Sequence, residues 1–392
     1  MMSNPLALVL SQIHAKTRAL PRCDSGVVTA IETIKPAAAT QLSWRALQQQ
    51  ADTDSPIESV CVDKIWQTAN VVTLVFQAKQ PRPFMFKPGQ FVTIKVMING
   101  QAYYRSYSIS SSPSRPLTLA LTIKKVPNGK VSSYLVDAFN CGDSLTLQPA
   151  AGEFNLIDIA ADKYLFISAG CGITPMMSML TFLADSDPHA DIAFVHCAST
   201  AADIIFRQEL QQWQCASRNR QLSYFITHGD GQLGDQFGTH WAQGRLDIAR
   251  LQHSIPDYKQ RTVFVCGPGG FIQSLQDELA NSGFEMERFH QESFEATPRA
   301  SMVSSHDTVS LTCGEHQHVL AKGATLLDGV EALGLPVISP CRSGVCGSCK
   351  CQLVSGQVTK HKLTHLTHQE IEAGVVLACS TTLNSDVVIA AL

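Results

Sequence analysis

The stretch Cys341-Arg342-Ser343-Gly344-Val345-Cys346-Gly347-Ser348-Cys349 brings three cysteines into one short segment, and Cys379 follows further along the chain. The spacing C-x4-C-x2-C, completed by a distant cysteine, is one in which four thiolates hold a [2Fe–2S] cluster. Small residues between the cysteines let backbone N–H groups turn toward sulfur, where their hydrogen bonds tune the reduction potential. The predicted cluster ligands are Cys341, Cys346, Cys349 and Cys379.

A structural zinc site, or a set of unrelated buried thiols, is the alternative use of these cysteines. Zinc sites usually place cysteines as two C-x2-C pairs, and here only Cys346 and Cys349 have that spacing. Cys351 alternates with Cys349 along a predicted outgoing strand, so it is left out of the ligand set. The iron–sulfur interpretation is preferred.

Composition indicates an ordinary globular protein with two or three domains, since the chain has 392 residues, 45% of them apolar and 16% charged. The formal net charge of −3 gives no electrostatic argument for nucleic acid as a partner. The 13 cysteines show no secreted disulfide framework, which favours a reducing compartment. No apolar run approaches a membrane span, and Pro5–Leu10 lacks the preceding basic residue of a signal peptide, so we expect a cytoplasmic protein.

The chain begins with a segment, residues 1–55, in which no pattern indicates a function. A surface helix or partly ordered tail is expected there, with a docking arm for a partner as the alternative. From Ser59 onward, short alternating segments such as Phe91–Val96 are separated by turn residues such as Pro88-Gly89-Gln90. This spacing predicts an all-β barrel over residues 56–155.

Within the predicted barrel, Arg105-Ser106-Tyr107-Ser108 has the residue types of a flavin site. Arg105 can neutralise a pyrophosphate, and Tyr107 shares its strand face and can lie against a flat heterocycle that Ser108 hydrogen-bonds. Downstream of Lys124, the turn Gly129–Ser133 leads into a helix start that can present N–H groups to phosphate. Four ordinary strand residues often fit such a motif, but the combination favours flavin binding over a solvent-facing arginine.

After Gly152, predicted strands alternate with helices, which indicates a parallel sheet over residues 156–296. The strand Tyr164–Ser168 runs into Gly170-Cys171-Gly172-Ile173-Thr174-Pro175, with a helix expected from Met176. A later strand runs into Cys266-Gly267-Pro268-Gly269-Gly270-Phe271. Either turn alone could be a plain tight turn, and Pro175 replaces the third glycine of the GxGxxG pattern. Together they predict one nucleotide crevice at the carboxyl ends of parallel strands.

A polar connector, residues 297–306, precedes a last predicted domain over residues 307–392. Strands, a helix over Thr325–Leu333 and the cysteine loop indicate an α+β domain, and Thr367–Glu370 has the pattern of a capping box before Cys379. Three histidines in this domain lie in a polar stretch and are expected to be solvated rather than to bind a metal. They are His361, His365 and His368.

Residues 59–392 resemble the reductases that join a ferredoxin-NADP-reductase-like module to a C-terminal plant-type ferredoxin. The motifs that carry the resemblance are Arg105-Ser-Tyr-Ser108, Gly170-x-Gly-x-x-Pro175, Cys266-Gly-Pro268, Leu366-Thr-x-x-Glu370 and Leu377-Ala-Cys379-Ser380. The resemblance implies an antiparallel β-barrel FAD domain, an α/β parallel-sheet NAD-binding domain and a β-grasp [2Fe–2S] ferredoxin domain. Within this family, the chain is most similar to the NADH oxidoreductases that serve hybrid cluster protein, and the reductases of Rieske-type oxygenases share the same modules.

The resemblance also implies roles for matching positions. Arg105 would contact FAD phosphate, Tyr107 would pack on the isoalloxazine ring and Ser108 would lie near its N5 edge. The positions implied to bind cofactors are Arg105, Tyr107, Ser108, Lys124, Val131, Ser132, Ser133, Gly170, Gly172, Thr174, Pro175, Cys266, Gly267, Pro268 and Phe294. Those implied at the site of hydride transfer are Ser108, Thr174, Cys266 and Glu292.

One departure from the family concerns the choice of nucleotide. Family members often carry an arginine just before a threonine after the second strand of the nucleotide domain, and Ser199 occupies that place here. Without a guanidinium for a 2′-phosphate, NADH is favoured over NADPH, although His196 or Arg207 could substitute.

The predicted reaction transfers a hydride from NADH to FAD and then single electrons through the cluster to an acceptor metalloprotein. The flavin stands between them because it can accept two electrons as a hydride and pass them on one at a time to the cluster. Hybrid cluster protein is the first expected acceptor and a Rieske-type oxygenase the alternative. An alternative of another class is a non-catalytic redox-sensing or scaffold protein. Intact flavin and cluster motifs argue against it.

Overall fold

The computed structural model describes residues 55–127, 129–217, 220–229, 239–294, 308–335, 337, 339, 344, 347–361 and 366–390. Several sequence predictions lie outside these residues: all of the N-terminal segment except Ser55, the connector 297–306, and the single residues Cys341, Cys346 and His365. In the part of the chain that is described, no helix is both long and apolar enough to cross a membrane.

The first domain is an antiparallel barrel, as predicted. Its six strands pair in the order β4-β3-β6-β1-β2-β5, and an isolated bridge between Ile109 and Leu121 joins the two edges. Phe76, Ile94 and Leu121 are fully buried in its core. The strands are β1 (Ile57–Thr68), β2 (Val71–Ala78), β3 (Phe91–Ile98), β4 (Gln101–Ser108), β5 (Leu119–Lys124) and β6 (Ser144–Leu147).

A short helix, α1 (Lys130–Ser133), connects the last two barrel strands and continues into a π-helical turn over Tyr134–Ala138. The Lys64 ammonium on β1 donates to the carbonyl oxygens of Val136 and Phe139, at 2.8 Å each. These bonds satisfy carbonyls at the end of the helical segment, where no intrahelical donor is available. They fix the helical segment against β1.

The second domain is a six-stranded sheet in the order β10-β9-β8-β7-β11-β12, and all its pairs are parallel. The strand order reverses between β7 and β11, which makes the carboxyl ends of these two strands the topological switch point. The strands are β7 (Lys163–Ala169), β8 (Asp191–Ala198), β9 (Arg220–Ile226), β10 (His240–Gln243), β11 (Thr262–Gly267) and β12 (Phe289–Ser293). The helices are α2 (Ile173–Ser186), α3 (Arg207–Cys215), α4 (Ile248–Ser254) and α5 (Gly269–Asn281).

Two features of this domain differ from the sequence prediction. Helix α2 begins at Ile173 rather than Met176, because the first turn of a helix tolerates a proline such as Pro175. The outer strands β10 and β12 and helix α4 were not predicted. Strands at a sheet edge are short and half exposed, so they lack the continuous apolar run that marks the central strands.

The third domain combines a five-stranded sheet, in the order β14-β13-β19-β15-β17, with a two-stranded sheet of β16 and β18. Thr325 and Thr367 form capping boxes with the residues three positions on, and the second of these was predicted. The strands are β13 (Thr308–Cys313), β14 (His316–Ala321), β15 (Lys350–Ser355), β16 (Val358–Lys360), β17 (Val375–Leu377), β18 (Thr381–Leu383) and β19 (Val387–Ile389). The helices are α6 (Leu326–Ala332) and α7 (His368–Glu372).

Candidate active site

The two glycine-rich turns meet at the switch point in direct backbone contact. A Cβ atom added to Gly172 would lie 2.0 Å from the carbonyl oxygen of Cys266 and 2.7 Å from the amide nitrogen of Gly267. Gly267 in turn faces Ala169, whose Cβ lies 3.0 Å from the position of a Cβ on the glycine. Only glycine permits this approach between the turns after β7 and β11.

A cavity of about 720 Å³ opens at this junction. This volume lies within the range of small-molecule and cofactor sites. Gly170, Gly172, Gly267 and Pro268 supply part of its wall, together with Lys124 from the barrel. The cavity therefore occupies the crevice where an open parallel sheet binds its nucleotide.

Several positions expected to contact cofactors lie behind this wall. Cys266 is fully buried at the end of β11, and Pro175 is buried in the first turn of α2. Thr174 is also buried, and its hydroxyl donates to the carbonyl oxygen of Cys171 at 3.0 Å. Phe294, by contrast, lines the cavity and is about half exposed.

The barrel and the parallel sheet meet through Ser108 and Glu292. The Ser108 hydroxyl at the end of β4 donates to Oε2 of Glu292 on β12, at 3.4 Å. Glu292 pairs in register with Cys266 on the neighbouring strand. The structure thus brings three of the four residues predicted for hydride transfer close together.

Burial sets the protonation states at this junction. Burial raises the pKa of Glu292 to about 8, and the hydrogen bond from Ser108 offsets part of that rise. Burial also raises the pKa of the Cys266 thiol well above its usual value. At neutral pH, Glu292 is therefore a carboxylic acid that can hold a proton, and Cys266 is a neutral thiol.

The raised pKa of Glu292 predicts a pH-dependent stability difference between the wild type and Glu292→Gln. Between the ordinary pKa of 4.5 and the folded value of about 8, the folded chain binds the extra proton, so wild-type stability falls as pH rises. The slope from this group is at most about 1.4 kcal/mol per pH unit. The amide side chain of the variant cannot ionise, so urea unfolding of flavin-free protein should show the variant gaining relative stability from pH 5 to 8. A difference that stays flat across this window would contradict the assignment.

The flavin-type motif places its side chains along β4. Arg105 is exposed and donates to the carbonyl oxygen of Tyr104 at 2.7 Å, whereas Tyr107 is half buried. Burial raises the pKa of Tyr107, so its side chain stays a neutral phenol. In α1, Val131 and Ser132 are buried and Ser133 donates its amide to Gly129. The motif and the helix start both belong to the barrel, as a flavin site requires.

Two of the four predicted cluster ligands converge in the third domain. The sulfur atoms of Cys349 and Cys379 lie 3.2 Å apart, and both residues are buried. The amide of Gly344 donates to Cys379 at 3.1 Å, and the amide of Cys379 lies 3.4 Å from the Cys349 sulfur. Converging sulfurs that receive backbone N–H bonds are the environment that an iron–sulfur cluster needs.

Other possible ligands in this domain do not join the pair. Cys351 is buried in the domain core, where burial raises the pKa of its thiol to about 12. His361 and His368 are exposed, and no group of three potential metal ligands among the described residues includes them.

Several residues that line the nucleotide cavity were not predicted from the sequence. Asp203 and Thr227 follow β8 and β9, and Arg245 follows β10. The rule that open α/β sheets bind ligands beyond the carboxyl ends of their strands could have identified the first two. Arg245 could not be found this way, because its strand was not predicted.

Three family models match successive parts of the chain. The oxidoreductase FAD-binding domain matches residues 60–156, the oxidoreductase NAD-binding domain matches residues 166–277, and the 2Fe-2S iron-sulfur cluster binding domain matches residues 311–384. The chain therefore has FAD, NAD and [2Fe–2S] modules in the predicted order. The exact boundaries remain predictions.

Relatives are similar over most of the chain. The glycine betaine monooxygenase reductase subunit of Chromohalobacter salexigens is 36% identical over 89% of this chain and 99% of its own. The NADH oxidoreductase HCR of Escherichia coli is 34% identical over 78% of this chain and 89% of its own. Phthalate dioxygenase reductase has the same fold, with a TM-score of 0.57 and 21% identity over 88% of this chain and 99% of its own.

The described geometry agrees with these comparisons. A nucleotide-sized cavity lies at the switch point of the parallel sheet, a barrel carries the flavin motif, and two buried cysteine sulfurs converge in the third domain. The chain belongs to the family of NAD(P)H-dependent iron–sulfur flavoprotein reductases, enzymes that join an FAD-binding barrel and an NAD-binding domain to a [2Fe–2S] ferredoxin domain.

Proposed function

We propose that this chain is the reductase component of an oxygenase that acts on an N-methylated betaine. The observation that carries the proposal is the set of relatives covering 83–89% of the chain at 34–36% identity. They are named as reductase subunits of glycine betaine monooxygenase and of stachydrine N-demethylase. Both names describe oxygen-dependent or demethylating systems whose reductase is a separate subunit.

Hybrid cluster protein is the second candidate acceptor. The sequence resemblance ranked it first, and the relative named NADH oxidoreductase HCR supports it at 34% identity. The oxygenase is preferred here because its reductases match a larger share of this chain. The non-catalytic alternative is not retained, since the family consists of oxidoreductases.

The proposed roles of the chain's own residues follow from the site. The chemistry that bound FAD supplies is the exchange of one hydride for two single electrons. Gly172 has no side chain and contacts the backbone of Cys266, which would leave space for the nicotinamide. The buried Thr174 would exclude water from that end of the cleft. Glu292 would hold a proton next to Ser108, and Cys349 and Cys379 would hold iron.

We also propose that NADH is the preferred nucleotide. Ser199 and the carboxylate of Asp203 both follow β8 and line the cavity, which disfavours a 2′-phosphate at the end of β8, where the family often carries its arginine. Arg245, which also lines the cavity, follows β10 instead. His196 cannot substitute for a guanidinium, because burial lowers its pKa to about 3 and its Nδ1 lies 2.8 Å from the Ser168 hydroxyl. The guanidinium of Arg207 instead lies over the Trp241 ring, 5.5 Å from its centroid.

Ser199→Arg should shift the preference toward NADPH. The added guanidinium would pair with the 2′-phosphate, so the ratio of kcat/KM for NADPH to that for NADH should rise about 10-fold. Ser199→Ala, which adds no charge, should leave the ratio unchanged. Steady-state kinetics with ferricyanide gives both values, and an unchanged ratio in the arginine variant would place the 2′-position elsewhere in the cavity.

The acceptor is tested by reconstitution with purified partners. The chain and an oxygenase component for glycine betaine or stachydrine, supplied with NADH and O2, should release formaldehyde and the demethylated amine while NADH is oxidised and O2 is reduced. Electron transfer from the same chain to hybrid cluster protein should be at least about 10-fold slower than electron transfer to the oxygenase component, because docking depends on complementary surfaces. Fast reduction of hybrid cluster protein with no betaine turnover would reject the oxygenase in favour of the second candidate.

A further inference from the structure

Two segments from different domains line the nucleotide cavity. The turn between β1 and β2 in the barrel contributes Asn70, and the segment between β8 and α3 in the second domain contributes Asp203 and Ile205. The two segments are joined by a hydrogen bond in which the backbone amide of Phe206 donates to Oε1 of Gln67, at 3.2 Å. Gln67 lies near the end of β1, so this bond connects the barrel to the opposite domain's part of the cavity wall.

Phe206, which directly precedes α3, has a left-handed backbone. Its φ of 58° and ψ of 31° lie in a region that residues with a Cβ atom rarely adopt. Such a conformation persists only where the surrounding structure holds it. Here the side chain of Phe206 is buried in the core of its domain, and its amide is bonded to Gln67. Loss of the bond to Gln67 would let this turn relax and would move the segment before it.

A chain of buried hydroxyl groups inside the barrel determines which end of the Gln67 amide faces Phe206. The Ser110 hydroxyl donates to a backbone carbonyl on β5 at 3.1 Å, so it accepts from the Thr122 hydroxyl, at 2.9 Å. Thr122 has then used its only proton and accepts from the Thr73 hydroxyl, at 2.8 Å. Thr73 in turn accepts from Nε2 of Gln67 at 3.1 Å. The amide nitrogen is therefore directed into the barrel and the amide oxygen toward the N–H of Phe206.

We propose that Gln67 is a positioning residue for the nucleotide: it holds the segment between β8 and α3 at the distance from the barrel at which the cavity admits NADH. A capping box between Thr200 and Asp203 ties this segment together, so a shift at Phe206 would reach the cavity wall. The ends of β8 and β12 are three strand spacings, about 14 Å, apart. Gln67 thus acts far from the junction at Glu292 on β12, and its loss should affect the binding of NADH rather than the transfer of its hydride. The inference rests on the proposed use of this cavity by NADH and does not depend on which protein accepts the electrons.

Stopped-flow reduction of the holoprotein flavin over a range of NADH concentrations gives both a Kd for NADH and a limiting rate of flavin reduction. Saturable reduction in the wild type tests the use of NADH by itself, and the variants then test Gln67. Gln67→Met keeps the length of the side chain but loses both hydrogen bonds, so the Kd should rise about 5- to 10-fold, as expected for one lost hydrogen bond, while the limiting rate stays within about 2-fold. Gln77→Met, the same change at an exposed position of β2, should alter neither value. An unchanged Kd in Gln67→Met, or a limiting rate that falls as much as the Kd rises, would overturn the proposal.

A double-mutant cycle tests whether the hydroxyl chain acts through Gln67. Thr73→Val keeps the shape of the side chain but removes the acceptor for the Gln67 amide nitrogen, so the amide can rotate and the Kd for NADH should rise about 2- to 5-fold. Added to Gln67→Met, the same change should raise the Kd by less than about 1.5-fold, because the amide is already absent. Flavin content and urea unfolding of each variant check that the barrel is intact, and if Gln67→Met does not retain flavin, an unchanged Kd in Thr73→Val overturns the proposal on its own. Multiplying losses in the double variant would show that Thr73 acts independently of Gln67 and would overturn this part of the proposal.

Discussion

Replacing Cys379 by serine should stop electron transfer to protein acceptors while leaving the flavin module active. The rate of NADH-dependent cytochrome c reduction should fall at least about 100-fold, whereas ferricyanide reduction, which the flavin can perform directly, should stay within about 2-fold. The reason is that the sulfur atoms of Cys379 and Cys349 lie 3.2 Å apart, and the Cys379 sulfur accepts a hydrogen bond from the amide of Gly344. Serine offers no thiolate to iron at neutral pH.

Cys351→Ala is the matched control for this variant. Cys351 is as deeply buried in the same domain and lies two residues from Cys349, yet it is outside the proposed ligand set. The control should keep its iron content and its cytochrome c activity. If Cys379→Ser retained both, or if Cys351→Ala lost both, the ligand set would be wrong.

Gly172→Ala should close the nicotinamide cleft. The new methyl group would lie 2.0 Å from the Cys266 carbonyl oxygen and 2.3 Å from its carbonyl carbon, and backbone atoms at the end of β11 cannot move aside cheaply. Because a displacement of about 1 Å at a reacting centre can cost 10²-fold, kcat/KM for NADH should fall about 100-fold. Stopped-flow measurement of flavin reduction by NADH gives this value directly.

Gly270→Ala is the control for the cleft. Gly270 lines the same cavity, but a Cβ there would have no neighbour within 4 Å, and the residue lies in helix α5. Alanine favours the helix by up to about 1 kcal/mol, so this variant should fold and reduce its flavin normally. If Gly172→Ala reduced its flavin with NADH as fast as the control, the backbone contact at Gly172 would not shape the nicotinamide cleft.

Local patterns with strict geometric requirements were predictable from sequence. The glycines after β7 and β11 were identified because a strand-to-helix turn that approaches a nucleotide excludes side chains. The neighbour that excludes a side chain at Gly172 in the structure is the backbone of Cys266 and Gly267. The capping box at Thr367 was identified for a similar reason, since its hydrogen bonds join residues three positions apart. The order of the three modules followed from these patterns.

Features that depend on tertiary packing were not predictable in the same way. Sequence alone left His196 as a possible phosphate-binding cation, but its strand is central and its ring is fully buried. Arg207 was the other open possibility. Its guanidinium packs on the ring of Trp241, which belongs to β10, a strand that was not predicted. The partnership of Ser108 with Glu292 joins residues from two domains, and no local pattern marks it.

An anaerobic titration of the holoprotein with NADH, followed by visible absorbance and EPR spectroscopy, tests the relay most directly. The expected result is loss of oxidised flavin absorbance together with the EPR signal of a reduced [2Fe–2S] cluster, in protein that contains two iron atoms per chain. Flavin bleaching with no cluster signal in excess NADH, or zinc in place of iron, would contradict it.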